Sequence, residues 1–227
     1  SPFVGDTHAK AIVPIPNRGG FDLWEGFESG FLLNDPWLHG TRLSKPQRFS
    51  GYQSDIIGQR AGEWMKTAYS HPRFCVVSME APHPPYHATA AQVSEQSPES
   101  LVLQSNVPRG GEIENRARHE LAGYYSHIEA TDRSIGSLIS ELDLTNTVLV
   151  FTSVHGDMHG SHGVFRKGWP YEESVRVPLL VRNPSQTLLQ RRDTGPVSLH
   201  DLPHMTAAWS ELREWRCKRD FAPISLP

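Results

Sequence analysis

The 227-residue chain has the composition of an ordinary globular protein, with 37% hydrophobic and 21% charged residues. Its formal net charge of −3 indicates no basic surface for nucleic acid or for an anionic membrane. No apolar run approaches the roughly 20 residues that span a bilayer, and residues 1–6 lack the pattern of a signal peptide. We therefore expect one domain over residues 1–210, a C-terminal tail over residues 211–227, and neither nucleic acid nor membrane as a partner.

The first half of the chain predicts few regular elements. Residues 1–60 are rich in Gly, Pro and aromatic side chains and are expected to be mostly loop, whereas residues 54–70 have apolar positions at helical spacing. Residues 74–79 (FCVVSM) form a short apolar run that predicts a buried strand, with Cys75 as a small core residue. Three prolines make residues 80–86 (EAPHPPY) rigid and non-helical, and residues 87–112 read as a polar loop.

The second half alternates helix and strand. Residues 114–142 predict a long helix, because apolar side chains recur every three or four positions: Leu121, Tyr124, Tyr125, Ile128, Ile135, Leu138 and Ile139. Residues 147–152 (TVLVFT) predict a buried strand, residues 177–181 a further strand, and residues 200–209 a helix. This order is typical of an α/β domain.

Unusual polar residues follow two of the predicted strands. The first group is PHPPY at residues 82–86, and the second is SVHGDMHGSHG at residues 153–163. Because ligands of open α/β sheets bind at the carboxyl ends of strands, we expect both groups to contribute to one cleft.

These segments resemble the sulfatases of the alkaline phosphatase superfamily. Residues 150–163 (VFTSVHGDMHGSHG) and 167–179 (KGWPYEESVRVPL) are similar to the family's C-terminal signature, in which Ser-Asp-His/Asn-Gly-Asp/Glu, a Gly-His-Gly turn, a Lys and Tyr-Glu-x-Ser-x-Arg-Val-Pro follow a strand. Four further segments match in the family's order: residues 19–26 (GGFDLWEG), 81–86 (APHPPY), 124–136 and 197–202. The resemblance covers most of residues 5–205 and implies an alkaline-phosphatase-like α/β fold with a mixed, mostly parallel sheet flanked by helices.

The resemblance implies roles for four residues. His155 would be a ligand of a divalent cation, calcium or magnesium, and Lys167 and His83 would contact the sulfate oxygens and the leaving group. His8, in GDTH at residues 5–8, matches the histidine of the family's Gly-Lys-x-His segment. These residue types suit the chemistry, since cations stabilise sulfate oxygens and histidine supplies a proton to a departing alkoxide. A sulfated small molecule or glycan is the implied substrate.

Three departures from the family pattern bear on activity. Val154 stands where the family has an Asp ligand, and valine cannot coordinate a hard cation. Asp6 replaces the Lys of the Gly-Lys-x-His segment, and neither Cys75 nor Cys217 lies in the Cys/Ser-x-Pro-x-Arg motif whose Cys or Ser becomes formylglycine. We therefore expect a domain truncated on its N-terminal side, without formylglycine, with an incomplete site and no activity alone, whose partner is a complementing chain or a second copy.

Two other functions remain open from the sequence. Phosphonate monoester or phosphodiester hydrolysis uses the same residue types around the anion, and Val154 and Asp6 are also consistent with a non-catalytic binding module.

The three histidines of residues 153–163 also have other interpretations. His155, His159 and His162 have the spacing of a separate metal site, but the interleaved glycines disfavour a helix and no HExxH pattern is present. Ordinary surface histidines in a Gly-rich loop are the simpler interpretation, for His159 especially. Next to this segment, Glu172 and Glu173 favour packing or pairing with Arg176. The sequence assigns no role to His39, His71, His87, His119, His127, His200 and His204.

Overall fold

The computed structural model describes residues 5–185 and 195–210. The chain divides into two compact units: unit 1 comprises Ser1–Leu103 and Glu114–Leu142, and unit 2 comprises Gln104–Ile113 and Asp143–Pro227. The predicted tail over residues 211–227, with Cys217 in it, lies outside the described residues. No helix within the described ranges is long and apolar enough to cross a membrane.

Unit 1 combines three helices with a small antiparallel sheet. The helices are α1 (Asp6–Ala9), α2 (Gln53–Met65) and α3 (Glu112–Ser140), and the strands are β1 (Glu25–Gly26), β2 (Trp37–Gly40) and β3 (Gln47–Arg48). Strand β2 lies between β1 and β3, with Glu25 opposite Gly40 and Trp37 opposite Arg48. Helices α2 and α3 confirm the helices predicted at residues 54–70 and 114–142, although α2 ends at Met65 rather than near residue 70.

Glu25 of β1 forms two ion pairs, and the one with Arg60 connects the small sheet to α2. The Glu25 carboxylate accepts hydrogen bonds from Arg42 at 2.6 Å and from Arg60 of α2 at 2.7 Å, and its side chain is only 8% exposed. Burial alone would raise the pKa of Glu25, but the hydrogen bonds and charges of the two guanidinium groups outweigh it and lower the pKa. Glu25 is therefore a fixed anion that holds β1 against α2.

The buried face of α3 differs from the predicted one. Tyr125 and Ile128 are 38% and 41% exposed, although both belong to the predicted apolar face. The buried positions are mainly small or polar: Ala117, Leu121, Ala122, Gly123, Ser126, His127, Ala130, Thr131 and Ser134. The small side chains let neighbouring segments pack closely against α3. The buried polar side chains form hydrogen bonds; for example, the Tyr52 hydroxyl lies 2.8 Å from Nδ1 of His127.

Residues 74–79 do not form the predicted buried strand. They have no strand assignment, Phe74 and Val76 are 58% and 61% exposed, and Cys75 is exposed as well. A strand requires a neighbouring backbone to pair with, and the described part of the chain places no strand beside these residues. The predicted core position of Cys75 is therefore wrong.

Unit 2 is built on one antiparallel strand pair. Strands β4 (Leu149–Thr152) and β5 (Leu179–Arg182) pair along their whole length, and the unit also contains α4 (Glu172–Val175) and α5 (Leu202–Trp209). The predicted mostly parallel sheet is therefore not found among the described strands. The reason is that residues 153–178 fold back on themselves, with the Gly156 amide donating to the Ser174 carbonyl at 2.8 Å, so that β5 returns antiparallel to β4.

The strand pair is less buried than the sequence predicts. Phe151 and its partner Leu180 are 39% and 64% exposed on one face, and Val181, which points to the other face, is 42% exposed, so neither face of β4 and β5 is fully covered in the described structure. Beyond β5, the Ser198 hydroxyl accepts the amide of His200 and the Asp201 carboxylate accepts the amide of Ser198, which forms a capping box before α5.

Candidate functional site

His83 lies in unit 1, in a segment shaped by prolines. Its Nδ1 is 2.8 Å from the carbonyl oxygen of Pro84. Because a carbonyl oxygen only accepts hydrogen bonds, this contact places the proton on Nδ1 and makes Nε2 the acceptor atom of the neutral ring. The imidazole stacks on the ring of Phe31, with centroids 4.6 Å apart and an interplanar angle of 11°. His83 is half-buried and held in one orientation.

His8 lies on α1, in the same unit. It is half-buried, whereas Asp6 at the start of this four-residue helix is exposed to solvent. The nearest cation in the sequence is Lys10, whose ammonium lies 4.2 Å from the centroid of the Trp37 ring. Lys10 is thus engaged in a cation–π contact, and Asp6 leaves an anion at the position where the resemblance expects a lysine.

His155 follows β4 in unit 2 and repeats the arrangement of His83. Its Nδ1 is 2.7 Å from the carbonyl oxygen of Gly156, so Nδ1 again carries the proton and Nε2 is the acceptor atom. The Ser153 hydroxyl donates to the His155 carbonyl at 2.9 Å. A backbone carbonyl on one ring nitrogen is the usual support for a histidine that binds a cation through the other.

The chain after His155 is held by very close backbone contacts. A Cβ atom on Gly156 would lie 2.0 Å from the carbonyl oxygen of Glu173, so only glycine fits there. The Asp157 carboxylate accepts the amides of His159 at 3.2 Å and Arg166 at 3.0 Å, and its side chain is 8% exposed. Asp157 therefore closes the loop immediately before Lys167, which is exposed to solvent.

Asn106 is a residue of this loop region that sequence reasoning missed. Its side-chain Nδ2 donates to Glu173 at 2.6 Å and lies 3.1 Å from Nε2 of His162, while its backbone carbonyl accepts the backbone amide of His162 at 3.0 Å. The hydrogen bond from Asn106 is the main cause that lowers the pKa of Glu173. No local pattern around Asn106 signals this role, because its partners are more than fifty positions away in the sequence.

The other two histidines of the loop have different environments. The His162 ring stacks on Tyr171 at 4.1 Å and its side chain is 41% exposed, which agrees with a surface histidine. The side chain of His159 is only 12% exposed and lies 4.0 Å from Asp157, so the prediction of a surface position is wrong for His159. The Asp157 carboxylate draws this residue inward. The predicted pairing of Glu172 with Arg176 is confirmed at 3.3 Å.

The described residues around His155 do not make a complete site for calcium or magnesium. These ions take six or more oxygen ligands, whereas His155 offers one nitrogen atom and Val154 is 82% exposed without any donor. No group of three or more His, Cys, Asp or Glu side chains suited to a metal ion is found among the described residues. The Oδ1 atom of the nearby Asp157 carboxylate accepts two backbone amides.

Comparison with known proteins identifies the class. In its fold the chain superposes on a sulfatase from Bacteroides fragilis with a TM-score of 0.79 at 24% identity, covering 94% of this chain and 51% of the other. It also superposes on a structure solved with its substrate D-glucosamine-2-N,6-O-disulfate, with a TM-score of 0.67 at 20% identity, covering 86% of this chain and 56% of the other. The chain thus shares the fold of these two proteins.

The family follows from sequence similarity. The sulfatase family model matches residues 8–211, and the chain belongs to the sulfatase family. An ulvan-active sulfatase from Formosa agariphila is 34% identical over 189 residues, which cover 79% of this chain and 37% of that protein. The chain therefore spans well under two thirds of this relative, and about half of the solved structures it matches.

Proposed function

We propose that this chain is a sulfuric ester hydrolase-type domain whose catalytic site is incomplete within its own residues. The observation that carries the proposal is the shared arrangement of two histidines at family motif positions, His83 and His155. Each donates Nδ1–H to a backbone carbonyl beside it, so each has Nε2 as the acceptor atom.

His83 and Lys167 are the residues we assign to the sulfate ester. By their motif positions, we assign Lys167 to the sulfate oxygens, which a cation stabilises, and we assign His83 to the leaving-group side, where a histidine can supply a proton. His8 is the third residue that we assign to the catalytic site, as the histidine of the segment that matches Gly-Lys-x-His. No residue of this chain is assigned as the group that accepts the sulfuryl unit, because neither cysteine lies in the formylglycine motif. Residues 44–48 (SKPQR) match the letters of the motif, but they follow residues 5–8 (GDTH), whereas the family's motif precedes that segment.

In this proposal the chain lacks a full set of cation ligands as well as the nucleophile. His155 is the one residue that we assign to a divalent cation, through Nε2, and the exposed Val154 next to it provides no oxygen. Asp6 adds a negative charge where an anionic substrate requires a positive one.

A sulfated sugar is the substrate class we propose. One structural neighbour was solved with D-glucosamine-2-N,6-O-disulfate as its substrate, and one relative is named for its action on ulvan. On this chain, the exposed Lys167 is the cation assigned to the sulfate group of such a ligand.

A turnover assay tests the proposal. The chain alone, supplied with an aryl sulfate and with calcium or magnesium, is expected to release no measurable sulfate. Robust turnover that depends on the cation would overturn the incomplete-site proposal.

A binding titration tests the assignment of Lys167. We expect D-glucosamine-2-N,6-O-disulfate to bind weakly, and Lys167→Ala to weaken the binding by about tenfold, because a charge-assisted hydrogen bond contributes about 1.5 kcal/mol or more. The matched control is Lys45→Ala, at another exposed lysine. Equal loss in both variants would show that the ligand senses only overall charge.

A further inference from the structure

The ring of Phe31 lies face to face with the imidazole of His83, in an orientation that the backbone imposes. Phe31 has φ of 50°, in the left-handed region that L residues rarely adopt. The preceding Gly30 has φ of 117°, and a Cβ atom there would lie 2.7 Å from the Cβ of Ala9. The chain therefore turns sharply against α1 just before Phe31 and directs its ring to one side.

Gln53, at the start of α2, fixes the chain on the other side of Phe31. Its backbone amide donates to the Leu33 carbonyl at 2.9 Å, and its side-chain Nε2 donates to the Leu32 carbonyl at 3.0 Å. Leu33 is 2% exposed and belongs to the core of unit 1. Phe31 thus lies between two anchored points, Gly30 and residues 32–33.

The same Gln53 side chain also holds the segment that carries His83. Its Nε2 donates to the Glu80 carboxylate at 2.7 Å, its Oε1 accepts the Glu80 amide at 3.2 Å, and the His83 amide donates to the Glu80 carbonyl at 3.0 Å. Gln53 is 1% exposed, so these hydrogen bonds form away from water. One buried amide therefore sets the distance between the Phe31 segment and the His83 segment.

We propose that Phe31 and Gln53 are positioning residues for His83, which they hold with Nδ1–H on the Pro84 carbonyl and with Nε2 as the atom that carries and releases the proton. This inference rests on the proposed function of His83. The negative face of the phenyl ring favours the protonated imidazole, and the stack at 4.6 Å is within the range for a cation–π contact. Phe31 thus fixes the orientation of the imidazole.

Imidazole nitrogen spectroscopy of the 15N-histidine-labelled chain distinguishes positioning from simple packing. In the unchanged chain we expect His83 to show the Nδ1–H tautomer. In Phe31→Leu we expect a mixture of tautomers and a titration midpoint lower by about half a pH unit, since the cation–π contribution to the imidazolium is lost. Phe31→Tyr, which keeps a ring face, is expected to retain both signals.

Controls separate this effect from misfolding. Phe21→Leu removes another partly exposed ring of unit 1, which stacks on Phe74 at 6.0 Å, and should leave the His83 signals unchanged. The signals of the buried His127 report whether unit 1 is folded in every variant.

The outcomes decide between the two proposals. Unchanged His83 signals in a folded Phe31→Leu variant, or changes in Phe31→Tyr as large as in Phe31→Leu, would overturn the positioning inference. The measurement needs no sulfated ligand and no turnover, so failure of the proposed function appears in the titration of the disulfated sugar instead.

Discussion

His83 and His155 present the same imidazole arrangement, but the two regions achieve it in different ways. His83 depends on side chains that come from far along the chain, Phe31 and Gln53. The segment directly after His155 is held by contacts between residues fewer than twenty positions apart: the Gly156 amide donates to the Ser174 carbonyl, and the Arg166 backbone amide donates to the Asp157 carboxylate. The first support is side-chain packing in a core, and the second is backbone geometry within one loop.

This difference explains how much the sequence could predict. The loop after β4 is recognisable because its glycines, its acidic residue and its histidine stand together as one motif, and the structure forms the β4 strand that carries it. The support of His83 is not recognisable, since nothing near Phe31 or Gln53 marks them as neighbours of a histidine thirty or more positions away. For the same reason Asn106 and the buried His39 and His127 were missed.

The strands show a second limit. Apolar β-branched runs predicted strands at residues 74–79 and 147–152 alike, but only the second finds a partner among the described residues. The β-propensity of a segment indicates that it suits a strand, whereas the formation of a strand pair depends on which backbone lies beside the segment. The local pattern could not distinguish the two runs, nor could it show that β4 and β5 pair antiparallel.

The largest effect is expected at Gly156, where backbone geometry is tested directly. In Gly156→Val the new side chain would start 2.0 Å from the Glu173 carbonyl, so we expect a loss of about 3 kcal/mol of unfolding free energy. Urea denaturation measures it. Gly136→Val is the control, because a Cβ atom at Gly136 of α3 meets nothing within 4 Å. Equal losses of unfolding free energy in the two variants would contradict the close contact between Gly156 and the Glu173 carbonyl.

A smaller loss is expected at Gln53, which tests the side-chain support of the other region. Gln53→Leu would leave the Leu32 carbonyl and the Glu80 amide without their buried partner, at a cost of about 2 kcal/mol. Hydrogen exchange should accelerate near residues 30–34 and 80–84 and stay unchanged in β4. Gln59→Leu, at an exposed position of the same helix, is the control and should have little effect.

Asp157 tests whether charge contributes to the loop of His155. In Asp157→Asn the amides of His159 and Arg166 would lose a charged acceptor, so we expect a loss of about 1 kcal/mol and faster hydrogen exchange at Arg166. The control is Glu172→Gln, since that carboxylate is 74% exposed. An unchanged exchange rate of the Arg166 amide in Asp157→Asn would contradict the role of Asp157 in closing the loop.

Acid is expected to affect unit 1 before unit 2. Burial lowers the pKa of both His127 and His39, and the Arg18 charge lowers that of His39 further, against a smaller opposite effect of Glu28. A histidine with a lowered pKa in the folded state contributes stability above about pH 6.5, which is lost as pH falls towards its folded-state pKa.

Residue-resolved hydrogen exchange at several pH values checks this expectation. Opening of unit 1 should become easier below about pH 6.5, and His127→Gln should weaken that dependence. If β4 and β5 responded to acid as strongly as α3 does, the expected difference between the two units would be contradicted.

Calorimetric titration with calcium tests the central claim, that the site in this chain is incomplete, most directly. We expect no tight binding by the unchanged chain, because Val154 next to His155 offers no oxygen ligand, and measurable binding by Val154→Asp, which supplies one. That gain should disappear when His155→Ala is combined with Val154→Asp. Tight binding by the unchanged chain that is lost in His155→Ala would contradict the account.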